Sequence, residues 1–374
     1  MKRAQAGLSM IELLIAIVLS SIVVYAAISM FLASRGTANT TTAIGALSDN
    51  GRVALDFISE SVRSGGAMEC HATNALHTEV ITPATNIGQK NALNVGATPL
   101  QLDYADAFSG FEAVGTGNVG GAALVSASPV AADPASSDWA GGGLDGLLAN
   151  QVVKGSDVLA ARSSIPQAAP AYTVAEYDGN TGATQIFVND VGNLQPLQYA
   201  VISDCSVSAV FQIGTVDPVG NVVTTAGPLT THGGDLQTTF PVHSALAPID
   251  TAVYYIGAGR DGDSALFRYD EWTGLFQQLV PDVENMQVLY GVAITPTVPS
   301  EITQYVTADQ VVDFNQVVSV QVALLVASAP GSTAVPAPAN APTYNLLGTT
   351  VTAPIDTRLR KVFQTTIAVQ NAVL

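Results

Sequence analysis

The sequence predicts an α+β protein: a long N-terminal helix, its front half apolar enough to cross a membrane, packed on a large antiparallel β-rich head. Three observations carry this prediction. Residues 8–33 are almost wholly apolar. Small and apolar positions then recur at steps of three and four as far as Val62. Beyond Gly65-Gly66 the pattern changes to short runs of β-branched residues broken by Gly, Pro, Asn and Asp.

The first element is short and basic. Residues 1–7, MKRAQAG, precede the apolar run LSMIELLIAIVLSSIVVYAAISMFLA, which ends before Arg35. A helix needs roughly 20 residues to cross a bilayer, so the segment 8–34 suffices. Lys2 and Arg3 on the near side place the N-terminus in the cytoplasm and send the bulk of the chain across. Glu12 interrupts the apolar run, where an ionised carboxylate costs roughly 3 kcal/mol and calls for a partner. An ordinary secretory signal also starts with basic residues and an apolar stretch. Here the stretch is too long, contains Glu12 and lacks a small-x-small site at its end.

The helix continues past the membrane. Ile44, Leu47, Gly51, Leu55, Ile58 and Val62 fall on one face, with Arg52, Asp56, Glu60 and Arg63 between them. Gly65-Gly66 is a natural stop. A helix over 8–65 is about 85 Å long at 1.5 Å per residue. Gly36, Gly45, Gly51 and the Asn-Thr run weaken it by up to about 1 kcal/mol per Gly.

The head spans 66–374. Its clearest strand is Val318–Val326, with Val318, Val320, Val322, Leu324 and Val326 on one face. Further strands are expected at Asp157–Arg162, Thr184–Val188, Tyr199–Ser203, Val207–Ile213, Ala252–Ile256, Ala265–Tyr269 and Val362–Val369. Two low-complexity stretches, about 113–150 (Gly/Ala-rich) and 327–343 (Pro/Ala-rich), are expected as surface loop insertions.

Composition bounds the partners. The 374 residues carry 13 Lys plus Arg against 30 Asp plus Glu, a formal charge of −17. Such a surface repels phosphate backbones, and direct nucleic-acid binding is not expected. Cys70 and Cys205 are the only cysteines. In an exported chain they permit one intramolecular disulfide, with two free buried thiols as the alternative.

AGLSMIELLIAIVLSS resembles the type IV prepilin signature: a basic leader ending in Gly, a cleavage point, and an apolar helix with Glu at its fifth position. The resemblance makes Gly7 the last leader residue and Leu8 the mature N-terminus, where the family usually has Phe. It implies cleavage by a prepilin peptidase, N-methylation of Leu8, and pairing of Glu12 with a freed N-terminal amine. Over nearly its whole length the chain is also similar to the PilW family of minor pilins. The matching phrases include Gly155-Ser-Asp-Val-Leu-Ala, Val201-Ile-Ser-Asp-Cys-Ser, Tyr254-Tyr-Ile, Ala265-Leu-Phe-Arg-Tyr, Val283-Glu-Asn-Met-Gln-Val-Leu-Tyr-Gly and Arg358-Leu-Arg-Lys-Val-Phe.

This similarity implies a type IV pilin-like fold and a role in pilus assembly initiation and the tip complex. It implies other minor pilins, the major pilin, a tip adhesin and prepilin peptidase as partners, and inner-membrane lipid before assembly. Two other readings share the N-terminus: a type II secretion minor pseudopilin of the GspJ type, and an exported β-domain binding module on an uncleaved anchor.

No cofactor, metal or enzymatic activity is expected. Gly115-Thr-Gly-Asn-Val-Gly120 matches GxGxxG but lies in the Gly/Ala-rich stretch without a strand before or a helix after. Asp261-Gly-Asp263 begins like a calcium loop, yet Ala265 and Trp272 stand where oxygen ligands belong. His71, His77, His232 and His243 show no metal spacing, and no nucleophile motif or catalytic carboxylate pair is visible.

Overall fold

The computed structural model describes residues 10–370 apart from 69–70, 73–105, 118–119, 127, 135–136, 142, 166–171, 179–182, 204–207, 226–235, 237–239, 241, 243, 271–272 and 294–301. Gly7, Leu8, Cys70, Cys205, His77, His232 and His243 therefore lie outside the described residues.

One 55-residue helix, α1 (Met10–Ser64), leads the chain. No proline interrupts it. In its polar middle, Thr37, Thr40, Thr41 and Thr42 each donate the side-chain hydroxyl to the carbonyl four residues back, at 2.9–3.1 Å. Each hydroxyl thus donates within the helix itself. Gly66 ends the helix in the left-handed region, φ +78°, and its N–H donates to the Arg162 carbonyl at 2.8 Å.

The strands follow in chain order. They begin with β1 (Ala67–Met68), β2 (His71–Ala72), β3 (Phe108–Phe111), β4 (Ala122–Leu124), β5 (Val158–Ser164) and β6 (Tyr172–Asp178). Next come β7 (Ala183–Phe187), β8 (Tyr199–Ser203), β9 (Ser208–Asp217), β10 (Val222–Thr225), β11 (Ser244–Ala258), β12 (Ser264–Asp270) and β13 (Leu275–Pro281). The last are β14 (Val283–Ala293), β15 (Ile302–Val306), β16 (Val317–Ala327), β17 (Thr343–Leu346), β18 (Thr349–Thr352) and β19 (Arg360–Ala368).

Two architectures share β11. Residues Ser244–Pro248 pair with β6 on one side and β8 on the other, closing a six-stranded ring in the order β11-β6-β7-β10-β9-β8. Ile186, Ile202, Phe211, Val223 and Leu246 fill its interior. The rest of β11 runs on between β5 and β12. A separate antiparallel sheet, β15-β14-β16-β19, lies against the second half of α1. There Leu47, Ile58 and Val62 pack with Met286, Tyr290, Val320, Leu324 and Ile367 in the main core.

Strands β14 and β16 are buried on both faces. For β16 this produces the near-continuous apolar run that marks it in the sequence. For β14 it hides the strand, because the buried Glu284, Asn285 and Gln287 break the alternation. Gly155 is why the two buried amides are tolerated. Its carbonyl accepts from Asn285 Nδ2 at 2.7 Å and Gln287 Nε2 at 3.1 Å, while Thr349 donates to Gln287 Oε1 at 3.1 Å.

The stretch 113–150 contains more than loop. It holds β4, which pairs in parallel with β18, and a satellite core of Trp139, Leu144 and Leu148 around Val253 and Tyr255. The GxGxxG sequence serves this packing. Gly117, at φ +69°, brings its N–H to Thr349 Oγ1 at 2.7 Å, and the Gly115 carbonyl accepts from Ala122. Asp261-Gly-Asp263 is the turn joining β11 and β12, closed by the Gly259 N–H on the Asp263 carbonyl.

Candidate assembly site

The sequence singles out α1, and its surroundings divide it sharply. Every residue from Met10 to Arg35 is exposed. From Ala43 onward one face is covered: Ala43, Leu47, Gly51, Ala54, Ile58, Ser59 and Val62 are buried against the head. Compared with the face read from the sequence, the stripe is rotated slightly. Ile44 is half exposed and Leu55 only partly covered, while Ala43 and Ala54 are buried. Small residues win those positions because the sheet comes near. At Gly51 an added Cβ would stand 2.4 Å from the Phe363 ring of β19. The glycine that weakens the helix locally is thus the one that lets β19 touch it.

Polar contacts lock the same face. Tyr254 donates its hydroxyl to the Phe57 carbonyl at 3.0 Å and accepts from Ser61 at 2.8 Å. Burial pushes the Tyr254 hydroxyl above its usual pKa, keeping it a donor. Glu12 sits in the first described turn of α1, on the exposed apolar half.

A second constellation escaped the sequence reading as a site. Two family-like phrases, 283–291 and 358–363, meet across β16. Arg360, with its side chain 1% exposed, donates Nε and Nη2 to the two Glu284 oxygens at 2.7 and 3.0 Å and two further bonds to Asp356 at 2.6–2.7 Å. Arg358 reaches Asp282 at 2.6 Å, Asp263 at 3.1 Å and the Ser328 carbonyl at 2.7 Å. Asp282 occupies a left-handed turn (φ 62°) between β13 and β14, where the Arg358 contact holds it. A buried bidentate pair of this kind fixes geometry more than it adds stability. Here it sets the start of β19, hence where Phe363 meets α1. The signal available in the sequence was the Arg-x-Arg spacing at one strand start and Asp-x-Glu at another.

The head also buries acids. Glu112 and Asp157 are each 2% exposed. Asp157 accepts the N–H groups of Ala113 and Val288 at 3.1 and 2.9 Å, and Thr116 donates to Glu112 at 2.8 Å. Burial, aided by the neighbouring Asp157 charge, pushes the Glu112 carboxyl up to about 9, so it is neutral at physiological pH. Burial raises Asp157 as well, against those backbone donors. Among the described residues, no group of three or more His, Cys, Asp or Glu side chains is placed to hold a metal ion. The arrangement is that of a structural scaffold with an uncovered helix.

Residues 2–28 match the family model of the prokaryotic N-terminal methylation motif, and residues 253–371 match that of PilW, the type IV pilus-assembly protein W. Over these two segments the chain is similar to PilW-type minor pilins. No match was found among curated proteins or among solved structures. The PilW segment contains the main sheet and all six members of the Arg358–Arg360 ion network. The methylation motif implies processing by prepilin peptidase, and the PilW family is a structural component of the pilus, in contact with other pilus components. The exposed apolar helix and the prepilin motif together fit membrane anchoring and pilus association.

Proposed function

We propose that this PilW-type pilin acts at the start of pilus assembly and within the tip complex. There it joins other minor pilins through α1 and carries a partner surface, such as that for a tip adhesin, on its β-head. The observation that carries this reading is the division of α1 into a bare apolar half, 10–35, and a half clamped to the head, 43–62. A rigid head on an uncovered apolar helix stays in lipid until helices of other subunits replace the lipid. In this reading, cleavage falls between Gly7 and Leu8, and the new amine of Leu8, in its own chain or a neighbour's, pairs with Glu12. The pair offsets the cost of burying either charge alone and sets helix register. Residues 1–7 are then the leader, 8–65 the helix and 66–374 the exported head, braced by a Cys70–Cys205 disulfide.

Deletion of the gene, complemented with wild-type or Gly7→Arg protein, tests the proposal. Wild type should restore surface pili and co-purify with the other minor pilins. The Gly7→Arg chain should persist as an unprocessed membrane precursor and restore neither. Normal piliation without this protein would remove the initiation role. A mature N-terminus beyond Ala26 would replace the prepilin reading with an ordinary signal peptide. Thiol trapping on the unreduced head decides the disulfide: two labelled cysteines exclude it.

A further inference from the structure

The Pro/Ala-rich connection between β16 and β17 does not hang free. It runs back to α1 and touches it where the apolar half ends. The Ala334 N–H lies 3.3 Å from Thr40 Oγ1, and a Cβ added at Gly36 would stand 3.0 Å from the Ala334 Cβ. On its other side Thr333 donates its hydroxyl to the Thr357 carbonyl at 2.5 Å, just ahead of β19. Residues 334–341, AVPAPANA, are all exposed.

The height of this strap along the helix is set by Arg35. Arg35 is the first charged residue after Glu12, and its guanidinium folds back over the Phe31 ring, 5.3 Å from the centroid. An Arg at the end of a spanning helix reaches for the phosphate layer, so Arg35 marks that layer. Ala334 meets the helix at Gly36 and Thr40, that is, between about 1.5 and 7.5 Å beyond Arg35 at 1.5 Å per residue. That interval is the thickness of the headgroup region.

The chemistry of the strap fits the same place. No charged residue occurs between Asp313 and Asp356, in a protein of formal charge −17. An acidic head is repelled by an anionic leaflet, and a charge-free segment is the part that can approach it. Prolines at 330, 336, 338 and 342 keep the strap extended and limit the backbone donors it exposes.

We propose that residues 333–341 form a lipid-contacting collar. Before assembly, the collar rests in the headgroup layer of the leaflet facing the head, and fixes the height of the head over the bilayer. This rests on the membrane-anchored reading above, and the test separates the two. The full-length chain is reconstituted in phosphatidylcholine–phosphatidylglycerol vesicles whose lipids are brominated either near the headgroup or near the chain ends. Three single variants add one tryptophan over the common background of Trp139 and Trp272: Val335→Trp in the strap, Phe31→Trp in the helix, and Val219→Trp at the 92% exposed tip between β9 and β10.

The added emission of Val335→Trp should shift to the blue and lose most of its intensity to shallow bromines, and little to deep ones. Val219→Trp should lose none, which excludes insertion driven by an exposed indole alone. If Phe31→Trp is quenched while Val335→Trp behaves like Val219→Trp, the collar is wrong and the anchor stands. If Phe31→Trp also escapes quenching, the anchored reading falls and takes the collar with it.

Discussion

Ile17 and Ile58 lie on the same uninterrupted helix and meet opposite surroundings. Ile17 is 60% exposed in a segment where nothing from 10 to 35 is covered, and Ile58 is fully buried in the main core that α1 shares with β16 and β19. Local sequence does not explain the difference, since the front half is the more apolar of the two. What decides burial is the head, which offers a matching surface only from Ala43 onward. The apolar stripe of the back half is satisfied within the chain. That of the front half is left uncovered by its own chain, and in the proposed function this division lets the helix serve assembly as well as the core.

The contrast can be broken at several points. The largest effect is expected from truncating the packed isoleucine. Ile58→Ala should destabilise the head by about 3 kcal/mol, within the usual range for a buried Ile. Ile17→Ala, the same deletion on the bare half, should leave the unfolding midpoint of the detergent-solubilised protein unchanged. Equal losses would mean that the head reaches further down the helix than Ala43. Gly51→Leu comes next. Its side chain must displace Phe363, at a cost of about 2 kcal/mol in denaturant unfolding, and Phe363→Ala in the same chain should recover part of the loss.

Titration sharpens the comparison from the side of the head. Glu112 has a raised folded-state pKa, so its contribution to stability is present below about 4.5 and is lost as pH rises toward about 9. Glu112→Gln removes that loss. The stability of the variant relative to wild type should rise as pH goes from 4 to 8, with no advantage at pH 4, as read from thermal midpoints across that window. An unchanged pH profile would show that the acid is solvated. The smallest effect on the head is expected at Glu12. Glu12→Ala should leave its unfolding unaltered, while recovery with partner pilins falls. Unimpaired recovery would remove Glu12 as the register element.

Much of this division was legible in the sequence. The helix end at Ser64 and the strands at β5, β7, β8, β9, β12, β16 and β19 follow from periodicity, because each has one face toward a core or a continuous apolar run. β14 was not legible as a strand. It is covered on both sides, and its buried Glu284, Asn285 and Gln287 are satisfied by Arg360, Gly155 and Thr349, residues remote in the chain. The closed ring was invisible for a related reason. Its closure depends on β11 continuing fifteen residues through two pairings, whereas the sequence marks only the stretch around 252–256. In the sequence, Gly7, Leu8 and Glu12 stand out because a small residue, a sharp apolar onset and a misplaced charge are local signals, although Gly7 and Leu8 lie outside the described residues. The Arg358–Arg360 network is not local, and only the fold assembles it.

The shared strand has a mechanical corollary. In the proposed tip role, the head would be pulled along the filament. Load applied to the six-stranded ring leaves it through β11, passes into β5 and β12 by shear of antiparallel ladders, and reaches α1 where Tyr254 grips Phe57 and Ser61. Hydrogen bonds in shear share the force, whereas a ladder pulled from its end opens one rung at a time. The ring is therefore wired in parallel to the shaft, and a cleft or loop on it can be tugged without first unzipping the sheet that holds the helix.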